Sequence, residues 1–124
     1  MNQDIKQRWI DALRSGQYQQ GIDCLRDAQD RFCCLGVLCD LYVKDNDEPG
    51  SEACWERVPD GDDFRYCLHN MVGVLPEEVK RWAEMDKANP YVRRPDHPLT
   101  SLAALNDTGR VTFDDIATVI EEQL

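Results

Sequence analysis

The most apolar run of the chain is Phe32-Cys33-Cys34-Leu35-Gly36-Val37-Leu38-Cys39-Asp40-Leu41-Tyr42-Val43. Its apolar side chains recur at the spacing of one helical face, which comprises Leu35, Leu38, Leu41 and Tyr42. Val37 and Cys39 widen that face around most of the helix. The pattern predicts a central helix over residues 34–44 that is buried on nearly all sides. It also predicts that Gly36 lets a neighbouring element approach closely.

The same run holds three of the six cysteines, which could be disulfide partners, zinc ligands, nucleophiles or small packing residues. Cys33 and Cys34 are adjacent, which makes them poor disulfide partners for each other. No C-x2-C or H-x3-H pair accompanies the cysteines, so their spacing does not favour zinc. Cys33 or Cys34 could be a nucleophile at a helix N-terminus, with His69 as its base. The flanking Phe32 and Leu35 favour burial and packing instead.

Helical periodicity recurs along the rest of the chain. It predicts four further helices, over residues 3–15, 76–85, 101–106 and 113–123. The last of these begins after Thr112 as its N-cap, with Asp115 three residues later in a capping-box-like arrangement. These helices would supply the apolar faces that cover the central one.

Three segments between the helices lack helical periodicity. Two of them are predicted to form antiparallel hairpins. The first pairs residues 22–25 with 31–33, and the second pairs residues 53–58 with 64–69. The third, residues 86–98, contains three of the six prolines and is predicted to be a long loop. We therefore expect an α+β fold: a single globular domain over residues 1–124, with four to five helices packed on one or two small antiparallel hairpins.

The composition is that of an acidic globular protein. Of the 124 residues, 42% are hydrophobic and 31% charged, and the formal net charge is -10. Such a charge repels phosphate backbones, so bulk nucleic-acid binding is not expected. The N-terminus carries no apolar signal segment and no run could span a bilayer, so a cytoplasmic protein without membrane contact is expected. An EF-hand-like spacing over residues 45–56 has Pro49 at a ligand position, and no metal or cofactor is expected.

Arginines beside aromatic residues, and one polar pair, are the candidate ligand contacts. Planar guanidinium groups and aromatic faces suit a phosphate, a carboxylate or a base. The predicted ligand-binding residues are Trp55, Arg65 and Tyr66 on the second hairpin, Tyr91, Arg93 and Arg94 in the proline-rich loop, and Asn106 with Asp107 at the end of a short helix. The alternative is a solvated surface for the first two groups, and a polar cap and turn for the last.

Three segments of the sequence form one known pattern. They are Trp9-Ile10-Asp11-Ala12-Leu13-Arg14-Ser15-Gly16, Phe32-Cys33-Cys34-Leu35-Gly36-Val37-Leu38-Cys39-Asp40-Leu41, and Leu102-Ala103-Ala104-Leu105-Asn106-Asp107 followed by Gly109. This pattern resembles a family of small uncharacterised proteins found in tailed phages and bacteria. The resemblance covers both ends of the chain and the cysteine run, whereas residues 46–98 match loosely. It implies a phage-type context and brings no activity with it.

The sequence contains no Gly-rich phosphate loop, serine nucleophile elbow or HExxH motif, which favours a non-catalytic protein. We expect a phage-type accessory protein that neutralises a host protein or sequesters a small anionic ligand, such as a nucleotide defence signal. Two alternatives stay open. One is a cysteine-dependent hydrolase or transferase that uses Cys33 or Cys34 with His69. The other is a structural module that acts through homo-oligomerisation.

Overall fold

The computed structural model describes all residues from 1 to 124. The elements in chain order are α1 (Gln3–Arg14), β1 (Gln19–Gln20), β2 (Arg26–Asp27), β3 (Arg31–Phe32), α2 (Cys34–Asp45), β4 (Glu56–Asp60), β5 (Asp63–Cys67), α3 (Glu77–Ala83), β6 (Tyr91–Arg94), β7 (His97–Ser101), α4 (Leu102–Asp107) and α5 (Phe113–Gln123). None of these helices has the length and apolarity that crossing a lipid bilayer requires.

Two small sheets accompany the five helices. The larger sheet has the strand order β1-β3-β2-β5-β4, and the smaller one pairs β6 with β7. Strand β1 runs parallel to β3, and the other pairs are antiparallel. The predicted α+β fold of one compact domain is confirmed.

Helix α2 is the centre of the core. Its residues from Cys34 to Asp40 are all buried, as the apolar pattern predicts. Trp9 of α1 donates a hydrogen bond from Nε1 to the carbonyl oxygen of Cys34 at 2.9 Å. A Cβ atom on Gly36 would lie 1.8 Å from the carbonyl oxygen of Leu25, so only glycine permits this contact. The close approach predicted at Gly36 is confirmed.

Helices α1 and α5 pack against each other and enclose the core. Each presents one buried stripe, which comprises Ile5, Trp9, Ile10 and Leu13 in α1, and Phe113, Ile116, Ala117, Val119 and Ile120 in α5. Burial of each large side chain in these stripes contributes about 1.5–3 kcal/mol. The predicted capping box is present, because Thr112 accepts from the backbone of Asp115 while the Asp115 side chain accepts from that of Thr112.

All five predicted helices exist, and their ends lie within two residues of the predicted ones. The largest difference is at α3, which ends at Ala83 because Glu84 takes a left-handed conformation with φ 56°. Such a residue stops a helix, and its N–H donates to the carbonyls of the last turn. The local signals of helix formation were therefore sufficient along this chain.

The hairpin predictions had mixed outcomes. The second exists as β4–β5, with Gly61 in the turn at φ 63°, but residues 53–55 and 68–69 lie outside its strands. The first is partly wrong, because residues 22–25 form no strand and β2 begins at Arg26. Asp23 breaks the extended backbone with φ 69°, and the N–H of Leu25 donates to the carbonyl of Val72 at 2.7 Å instead of a strand neighbour.

The prediction of a loop over residues 86–98 holds for residues 86–90 and is wrong from Tyr91 onward, because β6 and β7 form a hairpin there. Each strand of a two-stranded sheet has a free edge, so Pro98 can sit in β7 without losing a ladder bond. The side chain of Gln123 accepts from the Arg93 N–H at 2.8 Å and donates to the Arg93 carbonyl. These bonds tie the hairpin to helix α5, a partner that no local pattern could reveal.

Candidate functional site

Three cavities form a row in the structure, and we name them by their lining. The acidic cavity has a volume of about 490 Å3 and is lined by Asp23, Asp60, Asp63 and Arg65, among others. The middle cavity is lined by Gln20, Ile22 and Asn106. The basic cavity is lined by Arg94, His97, Thr108 and Arg110. Gln20 and Ile22 belong to the first two cavities and Arg110 to the last two, so neighbouring cavities share walls.

The basic cavity lies between the β6–β7 turn and the turn that follows α4. Arg94 Nε is 3.5 Å from Asp96 Oδ1, but the Asp96 side chain is 74% exposed, so water weakens this pair. The Arg110 guanidinium forms no ion pair. Its backbone N–H donates to Thr108 Oγ1 at 3.2 Å, which closes the turn. The lining thus combines Arg94, Arg110 and His97 with Thr108 and one carboxylate residue, Asp96, around a space of about 310 Å3.

Asn106, a predicted ligand contact, lies in the wall of the middle cavity and is fully buried. Its Oδ1 accepts from Gln20 Nε2 at 3.1 Å and from the Cys34 N–H at 3.2 Å. Its Nδ2 donates to the Gly21 carbonyl at 2.9 Å and to Asp107 Oδ1 at 3.1 Å. The amide therefore uses both donors and both acceptor positions inside the protein. Its geometry fits the alternative of a structural polar residue, which joins α4 to β1 and to the start of α2.

Arg65 and Asp107 both belong to the acidic cavity, although in different ways. Arg65 is part of its lining, as a ligand contact would be. Asp107 acts through a neighbour, because its Oδ1 accepts from the N–H of Asp23, which itself lines the cavity. The structure thus brings together residues that the sequence placed in separate clusters.

Trp55 and Tyr66 do not share a cavity with Arg65. Alternate residues of a strand point to opposite faces, which separates Arg65 from Tyr66 on β5. The guanidinium carbon of Arg26 lies 4.0 Å from the centroid of the Tyr66 ring and 5.7 Å from that of Trp55. Arg26 is itself held by Asp30 at 2.7 Å. The aromatic faces predicted to receive a ligand are thus in contact with the protein's own cation.

Asp40 in helix α2 fixes the position of Trp55 and was not predicted as a polar centre. It accepts from the Tyr18 hydroxyl at 2.5 Å and from Trp55 Nε1 at 3.1 Å, and Lys44 Nζ lies 3.0 Å away. Burial of the carboxylate raises its pKa, but these three bonds outweigh burial and hold the pKa of Asp40 below its usual range. The buried carboxylate of Asp40 is therefore paired within the protein, and its bonds stabilise the fold.

Tyr91, Arg93 and Arg94 diverge along strand β6. Tyr91 is 68% exposed and Arg93 is exposed as well, so neither lines one of the three cavities. Arg94 is the member of this predicted group that lines the basic cavity. Strand alternation and the register shift between Val92 and Arg94 account for the separation.

The cysteines that were candidate nucleophiles are buried at the start of α2. Burial raises the pKa of Cys33 to about 12 and the pKa of Cys34 well above its usual range. His69 is bound elsewhere, because its Nδ1 lies 2.9 Å from Glu78 Oε2 and its Nε2 lies 3.2 Å from the Tyr42 hydroxyl. A nucleophilic thiol needs access, a thiolate form and a nearby base. The geometry therefore does not favour the hypothesis of a cysteine-dependent enzyme.

The reactivity of the thiols can be tested by alkylation. Cys54 is exposed and the other five cysteines are buried. Because alkylation requires an accessible thiolate, we expect iodoacetamide near neutral pH to label one thiol in the native chain and all six after denaturation. Mass spectrometry of the intact chain and its peptides would count and locate the labels. Cys54→Ser should remove the fast label, whereas rapid labelling of Cys33 or Cys34 would restore the enzyme hypothesis.

Other residues of the cavities were missed by the sequence analysis. Arg110 lies in the turn after α4, whereas Asp60 ends β4 and Asp63 begins β5. The nearby Gly109 and Gly61 were the only local signals. A glycine turn indicates a change of chain direction but not the element that the turn will face. No group of three or more His, Cys, Asp or Glu side chains is placed to hold a metal ion.

The fold and the row of charged cavities define a small single-domain α+β protein. The chain belongs to the family described as Domain of unknown function (DUF8296), whose model matches residues 1–124. A search of curated proteins and a search of solved structures each gave no match. Membership of this family agrees with the resemblance to an uncharacterised family.

Proposed function

We propose that this protein is a non-catalytic binding protein that holds a small phosphate-bearing ligand in its basic cavity. The observation that carries the proposal is the convergence of Arg94 and Arg110 on one cavity, although they come from separate turns. Arg110 forms no ion pair and the pair of Arg94 with Asp96 is exposed to water, so both guanidinium groups remain available to an anionic ligand.

The lining suits a phosphate group in both chemistry and size. A guanidinium presents parallel N–H donors that match two phosphate oxygens, and two guanidinium groups belong to the lining of this cavity. The Thr108 hydroxyl adds no donor, because it already donates to the Leu105 carbonyl at 2.9 Å. The volume of the basic cavity, about 310 Å3, lies at the lower end of the range for small-molecule sites, about 300–1,000 Å3. The cavity thus fits one phosphate-bearing head group better than a whole dinucleotide. At physiological salt the Debye length is about 8 Å, so the distant acidic surface repels such a ligand only weakly.

Sequestration of a nucleotide signal is the biological role that we propose for this binding. The resemblance to a phage-associated family supports it, and the burial of Cys33 and Cys34 argues against the catalytic alternative. The protein would act in the cytoplasm of the host cell and lower the free concentration of the signal. Expression in bacteria with a nucleotide-signalling defence should raise phage plaque counts, and a variant that no longer binds the ligand should not.

Alanine substitutions in the basic cavity provide the direct test. We expect ADP and inorganic pyrophosphate to bind the full chain in calorimetric titrations. Arg94→Ala and Arg110→Ala should each weaken binding by about tenfold or more, because each removes a charge-assisted hydrogen bond worth about 1.5–3 kcal/mol.

A matched control for this test lies on the same strand. Arg93 neighbours Arg94 in β6 but is exposed and lines no part of the basic cavity, so Arg93→Ala should leave the dissociation constant unchanged. Thermal melts should show that all three variants fold. Equal weakening by all three substitutions would indicate a general charge effect and would contradict a specific site, as would the absence of any phosphate binding.

A further inference from the structure

The acidic cavity presents four charged side chains on one face of the larger sheet. Asp63 and Arg65 are two residues apart on β5 and therefore point to the same face. The ladder places Asp60 opposite Asp63, and it places Asp27 opposite Arg65. All four residues line the cavity of about 490 Å3.

The carboxylates of Asp60 and Asp63 form a like-charge pair at the end of the hairpin. Neither takes part in an ion pair. The hydrogen bond that Asp63 accepts comes from the N–H of its neighbour Phe64, at 2.9 Å. Like charges directly opposite each other destabilise a sheet, and a cation between them would remove that cost. Asp23, at the same cavity, also has no ion-pair partner, so three carboxylates lack a cation.

Arg65, in contrast to these carboxylates, is a cation without an anionic partner. Its Nε is buried and has no hydrogen-bond partner. Asp27 is its cross-strand neighbour, but Asp27 is already bound by Arg31, with Nε–Oδ2 at 2.7 Å, and accepts from the backbone of Gln29 and Arg31. A buried donor without an acceptor costs about 1–3 kcal/mol, which makes such groups rare in folded proteins. Arg65 also belongs to the lining of the cavity and forms no ion pair with a carboxylate of the protein.

The charges that remain define the complementary ligand. Asp27 and Arg31 neutralise each other, which leaves the carboxylates of Asp23, Asp60 and Asp63 and the guanidinium of Arg65. Asp60 and Asp63 face each other and can share one cation, and Asp23 takes a second, so the matching ligand has one carboxylate and two cationic groups. We propose that the acidic cavity binds a free basic amino acid, with its carboxylate on Arg65 and its ammonium and side-chain cation on the three aspartates.

The surroundings of Cys24 agree with this distribution of charge. Burial raises the pKa of the Cys24 thiol, and the carboxylates of Asp27, Asp60 and Asp23 raise it further against the opposing effect of Arg65. The field at the wall of the cavity is therefore net negative, as a ligand with one positive net charge requires. The volume of about 490 Å3 lies within the range for small-molecule sites, about 300–1,000 Å3. This site is separate from the basic cavity and does not depend on phosphate binding.

The ligand class can be tested with four small molecules. L-arginine and L-lysine are titrated into the full chain by calorimetry, in a buffer without amines. We expect saturable one-to-one binding at millimolar concentration or below. Agmatine lacks the carboxylate and N-acetyl-L-arginine lacks the ammonium, so each should bind at least about tenfold more weakly than L-arginine. Agmatine binding as tightly as L-arginine would overturn the proposal, and so would no binding of either amino acid.

Two substitutions and one matched control locate the site. Arg65→Met and Asp63→Asn should each weaken L-arginine binding by about tenfold or more. Asp62→Asn should have no effect, because Asp62 lies in the same turn but does not line the cavity. Since Asp63→Asn removes the like-charge pair, it should melt no lower than the unsubstituted chain, and lost binding could not be ascribed to unfolding. Unchanged binding in both cavity variants would refute the assignment.

Discussion

The variant Gly36→Ala should be much less stable than the unsubstituted chain. The added Cβ would lie 1.8 Å from the carbonyl oxygen and 2.7 Å from the carbonyl carbon of Leu25. Both are backbone atoms and cannot rotate away as the end of a side chain could. Leu25 is also fixed by hydrogen bonds, because its N–H donates to Val72 and its carbonyl accepts from Cys33. We expect a loss of at least about 3 kcal/mol in the free energy of unfolding, out of the typical total of about 5–15 kcal/mol.

Urea denaturation followed by circular dichroism would measure this loss, with Gly73→Ala as the control. A Cβ at Gly73 would meet no atom within 4 Å, and its φ is not in the left-handed region. Its free energy of unfolding should therefore change by less than about 1 kcal/mol, and in the stabilising direction. If Gly36→Ala unfolded at the same urea concentration as the control, helix α2 could not lie so close to Leu25.

The helices could be predicted because their determinants are local. Thr112 and Asp115, which cap α5, are three positions apart in the sequence. Helix α2 is predicted by a continuous apolar run. Short strands depend instead on distant partners. The hairpin of β6 and β7 is bound through Arg93 to Gln123, thirty positions later, and the prolines nearby obscured it.

The candidate site shows the same division between local and distant information. Arg94 could be singled out because a guanidinium beside an aromatic residue is visible in the sequence. Its partner Arg110 could not, because the fold of β7 and α4 brings the two turns to one cavity. Trp55 and Tyr66 were predicted to contact a ligand, yet Arg26, which is distant from both in the sequence, lies against both rings. The sequence identified side chains with suitable chemistry, and tertiary contacts determined which of these side chains line a cavity.

Asn106→Leu should be the most damaging substitution of a polar side chain. Leucine has a similar volume but can make none of the four hydrogen bonds of the buried amide. The Cys34 N–H and the Gly21 carbonyl would be left without this partner, at about 1–3 kcal/mol for each buried group. We expect the free energy of unfolding to fall by about 3 kcal/mol or more. Asn46→Leu is the matched control and should cost about 1 kcal/mol, because that side chain makes one hydrogen bond, to the Tyr42 carbonyl.

Asn106→Asp separates the two halves of this network. A carboxylate keeps the acceptors for Gln20 and Cys34, but it places a charge against the Gly21 carbonyl and the Asp107 carboxylate. Burial and like charge raise the pKa of the new carboxyl in the folded state above its unfolded value of about 3.9. The variant should therefore be less stable than the unsubstituted chain at pH 7 and recover as the pH falls through its folded pKa, because the folded state then binds the proton more tightly. Melting temperatures from pH 7 down to pH 5 would measure the recovery relative to the unsubstituted chain. A constant difference between the two would mean that the amide donors of Asn106 do not hold Gly21 and Asp107 in place.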